Sequence, residues 1–223
     1  MGIGPNEFRR VVETLKSRYR LSYPLHIRPD DPFATLVGAV LSHRTKDEMT
    51  DRAFERLFSR YKTPAEVAEA PVRELERLIR DVGFYRQKAQ RLRRIAKMII
   101  ERYGGEIPRR REELMKLPGV GPKTADIVLS FAFRIPEIAI DTHVEAVVKR
   151  LGIADEKDDY ETIKRKLERL TKVEDRPLIN TLFVKFGKEI CRRPIPKCSL
   201  CSFTDICKYY RQQVSLKRRI TRP

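Results

Sequence analysis

The feature that most constrains the fold is the stretch Leu117–Ala125, which reads Leu-Pro-Gly-Val-Gly-Pro-Lys-Thr-Ala. It predicts a tight turn between two short helices, and together they form a hairpin over residues 111–133. Gly119 and Gly121 keep the turn free of side chains, so backbone N–H groups can approach another molecule closely. The N-terminus of the second helix attracts anions, above all phosphate, and Lys123 stands in its first turn. An ordinary glycine-containing helix connection, as in non-catalytic DNA-binding proteins, is the alternative.

Apolar residues recur at helical spacing along most of the chain, and no convincing strand pattern interrupts them. We therefore expect an all-α protein with short connections. Asp31 and the Thr63–Glu66 capping box mark two helix starts. In the helix expected over 85–103, four basic residues should face solvent, namely Lys88, Arg91, Arg94 and Lys97. The predicted helices span residues 7–20, 33–41, 46–61, 72–82, 85–103, 111–117, 122–133, 142–151, 159–170 and 177–190.

The charge balance indicates a polyanionic partner. The 223 residues contain 48 Lys and Arg against 31 Asp and Glu, which gives a formal net charge of +17. Nucleic acid is the leading candidate for such a chain, and generic surface charge is the alternative. No segment is apolar for long enough to span a membrane, and the N-terminus lacks a signal-peptide apolar region. We expect an intracellular protein of the cytoplasm or nucleoid, whose cysteines are reduced or ligated.

The four cysteines of the chain are Cys191, Cys198, Cys201 and Cys207. Four thiolates on one loop, 191–207, indicate a metal site. Zinc in tetrahedral coordination is the general default for such sets. The spacing C-x6-C-x2-C-x5-C differs from both common ferredoxin patterns.

The hairpin and the cysteine spacing resemble those of the endonuclease III family of helix-hairpin-helix DNA glycosylases. The resemblance covers most of the chain and implies two lobes with a DNA cleft between them. Residues 25–135 would form a six-helix barrel lobe, and residues 1–24 with 136–223 an iron–sulfur lobe. In this family the cysteine loop carries a 4Fe–4S cluster, which the resemblance favours over zinc here. The implied partner is double-stranded DNA with a damaged base or an abasic site, and we expect a monomer.

The resemblance also implies a base excision repair enzyme that flips damaged, oxidised pyrimidines out of duplex DNA and removes them. Lys123 would attack C1′ as the neutral amine, which the helix N-terminus and nearby basic groups favour. The resulting Schiff base permits β-elimination, which is AP lyase activity. Asp141 would deprotonate Lys123 or stabilise the sugar cation. Taken alone, Lys123 could merely neutralise a phosphate, and Asp141 could be the N-cap of the next helix.

Two positions are predicted to act on the duplex where the nucleotide is flipped. In the family, the loop that holds His43 and Arg44 reaches into the gap, and Arg44 stands where glutamine is commoner. Arg44 could donate hydrogen bonds to the orphaned base, and the departure leaves base preference open. The alternative is that Thr45 or Asp47 caps the next helix while His43 and Arg44 are solvated. A thymine or uracil mismatch glycosylase of the same fold, or a non-catalytic iron–sulfur DNA-binding protein, also stays open.

Phe84 follows Gly83 at the position of the family's apolar wedge, which keeps the flipped nucleotide out of the stack. Alternatively, Phe84 and Tyr85 are core aromatics. After Cys207 the basic tail, with Arg211, Lys217, Arg218, Arg219 and Arg222, is expected to be a DNA-touching or disordered arm. Further DNA contacts are predicted in the hairpin and in the cysteine loop: Gly119, Val120, Gly121, Thr124, Arg192, Arg193 and Lys197.

Overall fold

The computed structural model describes residues 3–29 and 31–220, except for the side chains of 215–220. These residues contain helices and no strand, which confirms the all-α prediction. A π-helical segment, Val128–Ala132, and short 3-10 turns at Val173–Asp175 and Cys198–Leu200 interrupt the α-helical pattern. The α-helices of the described chain are α1 (Pro5–Arg18), α2 (Pro32–Ser42), α3 (Asp47–Arg60), α4 (Pro64–Glu69), α5 (Val72–Leu78), α6 (Tyr85–Tyr103), α7 (Arg111–Leu114), α8 (Pro122–Ile127), α9 (Thr142–Leu151), α10 (Tyr160–Leu170), α11 (Arg176–Glu189) and α12 (Lys208–Ile220).

The chain divides into two compact units. The continuous unit comprises residues 23–137, and the discontinuous unit comprises residues 1–22 together with 138–223. Each unit has its own apolar core. The lobes predicted from the sequence had junctions after residues 24 and 135, and the unit junctions lie after residues 22 and 137.

Helix α2 is the central element of the continuous unit. It is buried from Phe33 to Leu41 and packs against α3, α6 and α8. A helix that is apolar on every face must be covered on every face, which explains this position. Gly38 allows the preceding segment to cross the helix, because a Cβ at that position would lie 1.8 Å from the carbonyl oxygen of His26. The Asp31 side chain accepts a hydrogen bond from Ala34 N at 2.9 Å, so the predicted N-cap is confirmed.

The prediction that Lys88 faces solvent is wrong. Helix α6 has the predicted bounds, but Lys88 is only 2% exposed. Its Nζ donates hydrogen bonds to oxygens of a different segment, those of Leu41, His43 and Thr45. Burial, followed by the charge of Arg91, lowers the pKa of Lys88 to about 8. Helical periodicity missed this arrangement because the acceptors that permit a buried ammonium come from a distant part of the chain.

Several helices end earlier than periodicity predicted. The helix expected over 72–82 ends at Leu78, and the first hairpin helix ends at Leu114 rather than Leu117. The second hairpin helix, expected over 122–133, changes after Ile127 into the π-helical segment. In a long apolar run, hydrophobic periodicity does not distinguish an α-helix from a π-helix, because either helix buries the same residues. The capping box of Thr63 and Glu66 at the start of α4 is confirmed.

The discontinuous unit is built around α9 and α11, which pack against each other, and α1 packs on α11. The expectation of a disordered arm after Cys207 is wrong, because residues 208–220 form α12 and pack against α9. Tyr209 and Tyr210 contact the apolar core of this unit. These two tyrosines indicated a packed helix, but the many basic residues of the tail led to the prediction of an arm. Arg222 lies outside the described residues, as do the side chains of Lys217, Arg218 and Arg219. DNA contact by Arg211 stays a prediction.

Candidate active site and cysteine loop

The hairpin turn needs one of its glycines for reasons inside the protein. Gly119 has φ +73°, and a Cβ there would lie 2.5 Å from Nε of Arg91. Both the backbone conformation and the close packing therefore require glycine. Gly121 has φ −100°, and a Cβ there would meet no atom within 4 Å. Nothing among its described neighbours requires glycine at position 121, so the lack of a side chain leaves that face of the turn open to another molecule.

A buried ion pair ties the two hairpin helices together. Asp126 in α8 is completely buried, and Nε of Arg111 in α7 lies 2.8 Å from its Oδ1. Removing Arg111 would take a cationic partner away from a carboxylate in the interior, which destabilises a protein. Sequence analysis missed this pair. The available signal was an aspartate inside an otherwise apolar run from Ala125 to Leu129.

Lys123 lies half-buried in the first turn of α8. The first i to i−4 bond of this helix runs from Ala125 N to Gly121 O at 3.0 Å, so the N–H groups of Lys123 and Thr124 precede the intrahelical ladder. Thr124 is 1% exposed, and its hydroxyl lies 3.0 Å from Nε2 of His43. Val120 is also buried. The side chains of Val120 and Thr124 are therefore unsuited to the predicted DNA contacts, and of the two backbone N–H groups that of Val120 already donates to the carbonyl oxygen of Leu117 at 3.1 Å.

The imidazole of His43 lies near the hairpin amine. Burial, followed by the charge of Lys123, lowers the pKa of His43 to about 4, with smaller effects of Lys88 and Arg91. The ring is neutral at physiological pH and partly buried, so the alternative of a solvated His43 is wrong. Only one ring nitrogen then carries hydrogen, and either tautomer can pair with Thr124. The loop after α2 thus meets the first turn of α8 through this contact.

Arg44 and Phe84 form a second pair in the continuous unit. Both side chains are exposed, and both backbones are left-handed, with φ 51° for Arg44 and 58° for Phe84. The Arg44 guanidinium carbon lies 5.8 Å from the ring centroid of Phe84. Phe84 is 56% exposed, so the core-aromatic alternative is wrong for Phe84, whereas Tyr85 does pack against the core.

The loop before α3 does not use Thr45 as a helix cap. The N-cap of α3 is Lys46, which makes no side-chain cap bond. The hydroxyl of Thr45 instead accepts a hydrogen bond from Gly83 N at 3.1 Å. A Cβ on Gly83 would lie 2.9 Å from the carbonyl oxygen of Arg44, so glycine is needed for this close approach. The loop of Arg44 and the turn that precedes Phe84 therefore touch directly.

Asp141, in the discontinuous unit, is the N-cap of α9. Its Oδ1 accepts hydrogen bonds from the backbone N–H groups of His143 and Val144, both at 2.8 Å. The capping interpretation of Asp141 is thus geometrically correct. It does not exclude chemistry, because both cap bonds end on Oδ1 and Oδ2 lies outside the cap.

The four cysteine thiols are free and line one pocket. Burial raises the pKa of Cys201 to about 11 and raises the pKa values of Cys191 and Cys198 as well. Binding of a metal by these thiols would therefore release protons. Within residues 3–29 and 31–220, no three His, Cys, Asp or Glu side chains are grouped closely enough to hold a single metal ion.

Arg150, in the last turn of α9, holds the start of the cysteine loop. Its guanidinium donates to the carbonyl oxygens of Cys191 at 2.8 Å, Arg192 at 3.0 Å and Pro194 at 3.1 Å. It also lies 3.5 Å from the sulfur of Cys191, and the thiol of Cys207 donates to the carbonyl of Arg150 at 3.3 Å. Sequence analysis missed this residue because nothing local distinguishes it from the many surface arginines.

The basic residues predicted to meet phosphates from the cysteine loop, Arg192, Arg193 and Lys197, are all exposed. Contacts with phosphates require such exposure.

In the part of the chain that the structure describes, no helix is long and apolar enough to cross a membrane.

Comparison with known proteins identifies the family. The model of the HhH-GPD superfamily base excision DNA repair proteins matches residues 37–172. Endonuclease III of Thermotoga maritima is 40% identical over 203 residues, covering 91% of this chain and 95% of that protein. The chain belongs to the endonuclease III family. It is therefore a DNA glycosylase of base excision repair, and AP lyase activity goes with this family.

Solved structures agree with this assignment to the endonuclease III family. A trapped covalent intermediate of an endonuclease III with DNA superimposes with a TM-score of 0.87 at 35% identity, covering 95% of this chain and 99% of that one. A thermostable thymine-DNA glycosylase superimposes with a TM-score of 0.85 at 26% identity, covering 93% and 97%. The predicted helix-hairpin-helix glycosylase fold is confirmed.

Proposed function

We propose that this member of the endonuclease III family removes oxidised pyrimidines from duplex DNA and cleaves the resulting abasic site through a Schiff base on Lys123. The observation that carries the proposal is the placement of Lys123 in the first turn of α8, beside a turn whose Gly121 face is open. The amine thus stands next to backbone N–H groups suited to a phosphate. The similar endonuclease III that was trapped covalently on DNA supports a covalent mechanism.

DNA would bind through its backbone to both units. The hairpin N–H groups would hold one phosphate, and the exposed Arg192, Arg193 and Lys197 would hold others. A net charge of +17 supports this mode of binding, which makes affinity fall steeply as salt rises. Chromosomal DNA as the substrate accords with the expected intracellular location.

Phe84 and Arg44 would act at the site from which the nucleotide is flipped. Phe84 would wedge between bases, and Arg44 would fill the gap and donate hydrogen bonds to the orphaned base. Their exposure and mutual contact support this pairing. Flipping costs a few kcal/mol, least at damaged or mismatched pairs, so such a pair of side chains would favour damaged sites.

In the chemical step, the neutral Nζ of Lys123 forms a bond to C1′ while the bond from C1′ to the base breaks, and the base leaves with the electron pair. Opening of the sugar gives an imine between Lys123 and C1′. Loss of a proton from C2′ then breaks the bond from C3′ to its oxygen, which releases the 3′ phosphate. Asp141 would accept the proton of Lys123 or stabilise the sugar cation through its carboxylate, of which Oδ2 is not used by the helix cap.

The four cysteines would hold a 4Fe–4S cluster. Their thiols line one pocket, and Arg150 fixes the chain at Cys191, so the residues present fit such a group. Bound there, the cluster would supply order to the cysteine loop rather than a step of the reaction. The loop would then present its basic residues to phosphates.

A second candidate is a thymine or uracil mismatch glycosylase of the same fold. Two observations favour keeping it: Arg44 replaces the glutamine that is commoner in the endonuclease III family, and a thymine-DNA glycosylase shares the fold at 26% identity. A panel of duplexes with one oxidised pyrimidine or one G·T or G·U pair decides between the two substrate classes.

Borohydride trapping on abasic-site DNA tests the mechanism. Wild type should give a covalent adduct, and Lys123→Ala should give none while still binding the duplex. Lys116→Ala is the matched control, since Lys116 is an exposed lysine of the same hairpin and should trap normally. Equal trapping by wild type and Lys123→Ala would show that the Schiff base forms elsewhere.

A further inference from the structure

Lys88 has no part in the chemistry described above, yet it is the most completely buried lysine of the described chain, at 2% exposure. Its Nζ lies 2.6 Å from the carbonyl oxygen of Leu41, 2.7 Å from that of His43 and 3.0 Å from the hydroxyl of Thr45. An ammonium has three N–H groups, and here all three have an acceptor. All three acceptors belong to the end of α2 and the loop that follows it.

These bonds bracket Arg44. The residues directly before and after it, His43 and Thr45, are both bound to Lys88. Arg44 itself has a left-handed backbone, which is costly for a residue other than glycine and persists only where the surroundings hold it. The side chain of Arg44 is exposed, so the restraint comes from its neighbours in the chain.

The same arrangement reaches Phe84. The Thr45 hydroxyl accepts from Lys88 and also from the N–H of Gly83, the residue that precedes Phe84. Phe84 is likewise left-handed. One hydroxyl thus connects the loop of Arg44, the turn of Phe84 and the buried amine of α6.

We propose that Lys88 is a positioning residue that holds Arg44 and Phe84 as a pre-formed pair for the space left by the flipped nucleotide. It makes no DNA contact itself. A pair that is already ordered in the free enzyme loses little conformational freedom on insertion, which favours the flipped state. This inference rests on the proposed roles of Arg44 and Phe84 in the duplex.

The test compares Lys88→Met with Lys97→Met, an exposed lysine of the same helix. The probe is a duplex with a tetrahydrofuran abasic analogue opposite 2-aminopurine, whose fluorescence reports the surroundings of the orphaned base. At saturating enzyme, wild type and Lys97→Met should change the fluorescence equally. Lys88→Met should lose at least about half of this change, as Arg44→Ala and Phe84→Ala should, because insertion is no longer pre-organised.

The outcomes separate the two proposals. If Arg44→Ala and Phe84→Ala leave the fluorescence change intact, their insertion is wrong and the role of Lys88 falls with it. If those two variants lose the signal but Lys88→Met does not, insertion stands and the positioning role of Lys88 is overturned.

A kinetic measurement distinguishes positioning from general destabilisation. Lys88→Met should lower the single-turnover rate of base removal about tenfold or more at saturating enzyme, while the Kd for the abasic-analogue duplex changes less. A variant that merely lost folded protein would keep the rate per active site. If Lys88→Met does not fold, Thr45→Val replaces it because that variant removes the shared hydroxyl. It should likewise lower the single-turnover rate more than it changes the Kd. A wild-type rate in the folded variant contradicts the proposal.

Discussion

The guanidinium carbon of Arg44 lies 5.8 Å from the ring centroid of Phe84, and both residues have left-handed backbones at the surface of the protein. Neither residue gains the burial that ordinarily offsets such strain, and Phe84 leaves more than half of its area in water. Strained, exposed residues of this kind cluster at functional sites. This exposure and strain support the proposed insertion of the pair into a duplex.

Phe84→Gly should separate stability from activity. Glycine accepts φ 58° without strain, and this relief offsets its greater freedom in the unfolded chain, so the free energy of unfolding should change by less than about 1 kcal/mol. Loss of the wedge should lower the single-turnover rate of base removal about 10- to 100-fold. Urea unfolding and rapid-quench kinetics measure the two effects. A variant with the wild-type rate would mean that Phe84 is not the wedge.

Asp141 should act both as a helix cap and as a catalytic carboxylate, and two substitutions distinguish these roles. Asparagine keeps the cap, so Asp141→Asn should keep its stability, whereas Asp141→Ala should lose about 1 kcal/mol. Both should lower the rate of base removal about 100-fold or more, because neither retains a carboxylate.

Asp159→Ala is the control for Asp141. It removes another N-cap of the same unit, the one that accepts from Thr162 N at 2.9 Å, and should cost similar stability without loss of activity. Unaltered activity in Asp141→Asn would show that Asp141 is a helix cap without a catalytic role.

His43 should make the protein less stable in acid. Its pKa is about 4 when folded and 6.5 as the reference value, so the imidazole is neutral in both states above pH 6.5. Between pH 6.5 and 4 the unfolded chain binds a proton that the folded protein does not, so stability falls as the pH is lowered. Discounted for partial exposure, the loss is on the order of 1–2 kcal/mol. Urea unfolding at several pH values should show a smaller loss in His43→Asn, and parallel curves would contradict the prediction.

Arg150 should help the cysteine loop to hold the proposed 4Fe–4S cluster. Arg150→Met removes the donors to Cys191, Arg192 and Pro194, and charged hydrogen bonds of this kind contribute about 1.5–3 kcal/mol. Iron should therefore be lost to a chelator about tenfold faster or more, as followed by visible absorbance and iron content. Arg165→Met, at an exposed arginine of α10, is the control and should behave as wild type. Equal rates of iron loss in the two variants would exclude the role.

Local sequence patterns were sufficient to predict the bounds of a helix wherever capping residues mark its first and last turns. Gly104 and Gly152, both left-handed, are the C-caps of α6 and α9, and both helices have the predicted bounds. The N-cap at Asp31 and the capping box at Thr63 likewise follow from residues a few positions apart. The hairpin motif and the cysteine spacing together indicated the family, and both are patterns of residues close together in the sequence.

The sequence alone therefore determined the helical class, most helix bounds and the family of this protein, since periodicity, caps and motif are all properties of neighbouring residues. Only the tertiary structure decided which charges are buried. Lys88 and Arg150 look like ordinary surface residues in the sequence, but Lys88 is buried against oxygens of a distant segment and Arg150 is half-buried against carbonyl oxygens of the cysteine loop. A buried charge is tolerated only when its partners are in place, and those partners come together only when the chain is folded.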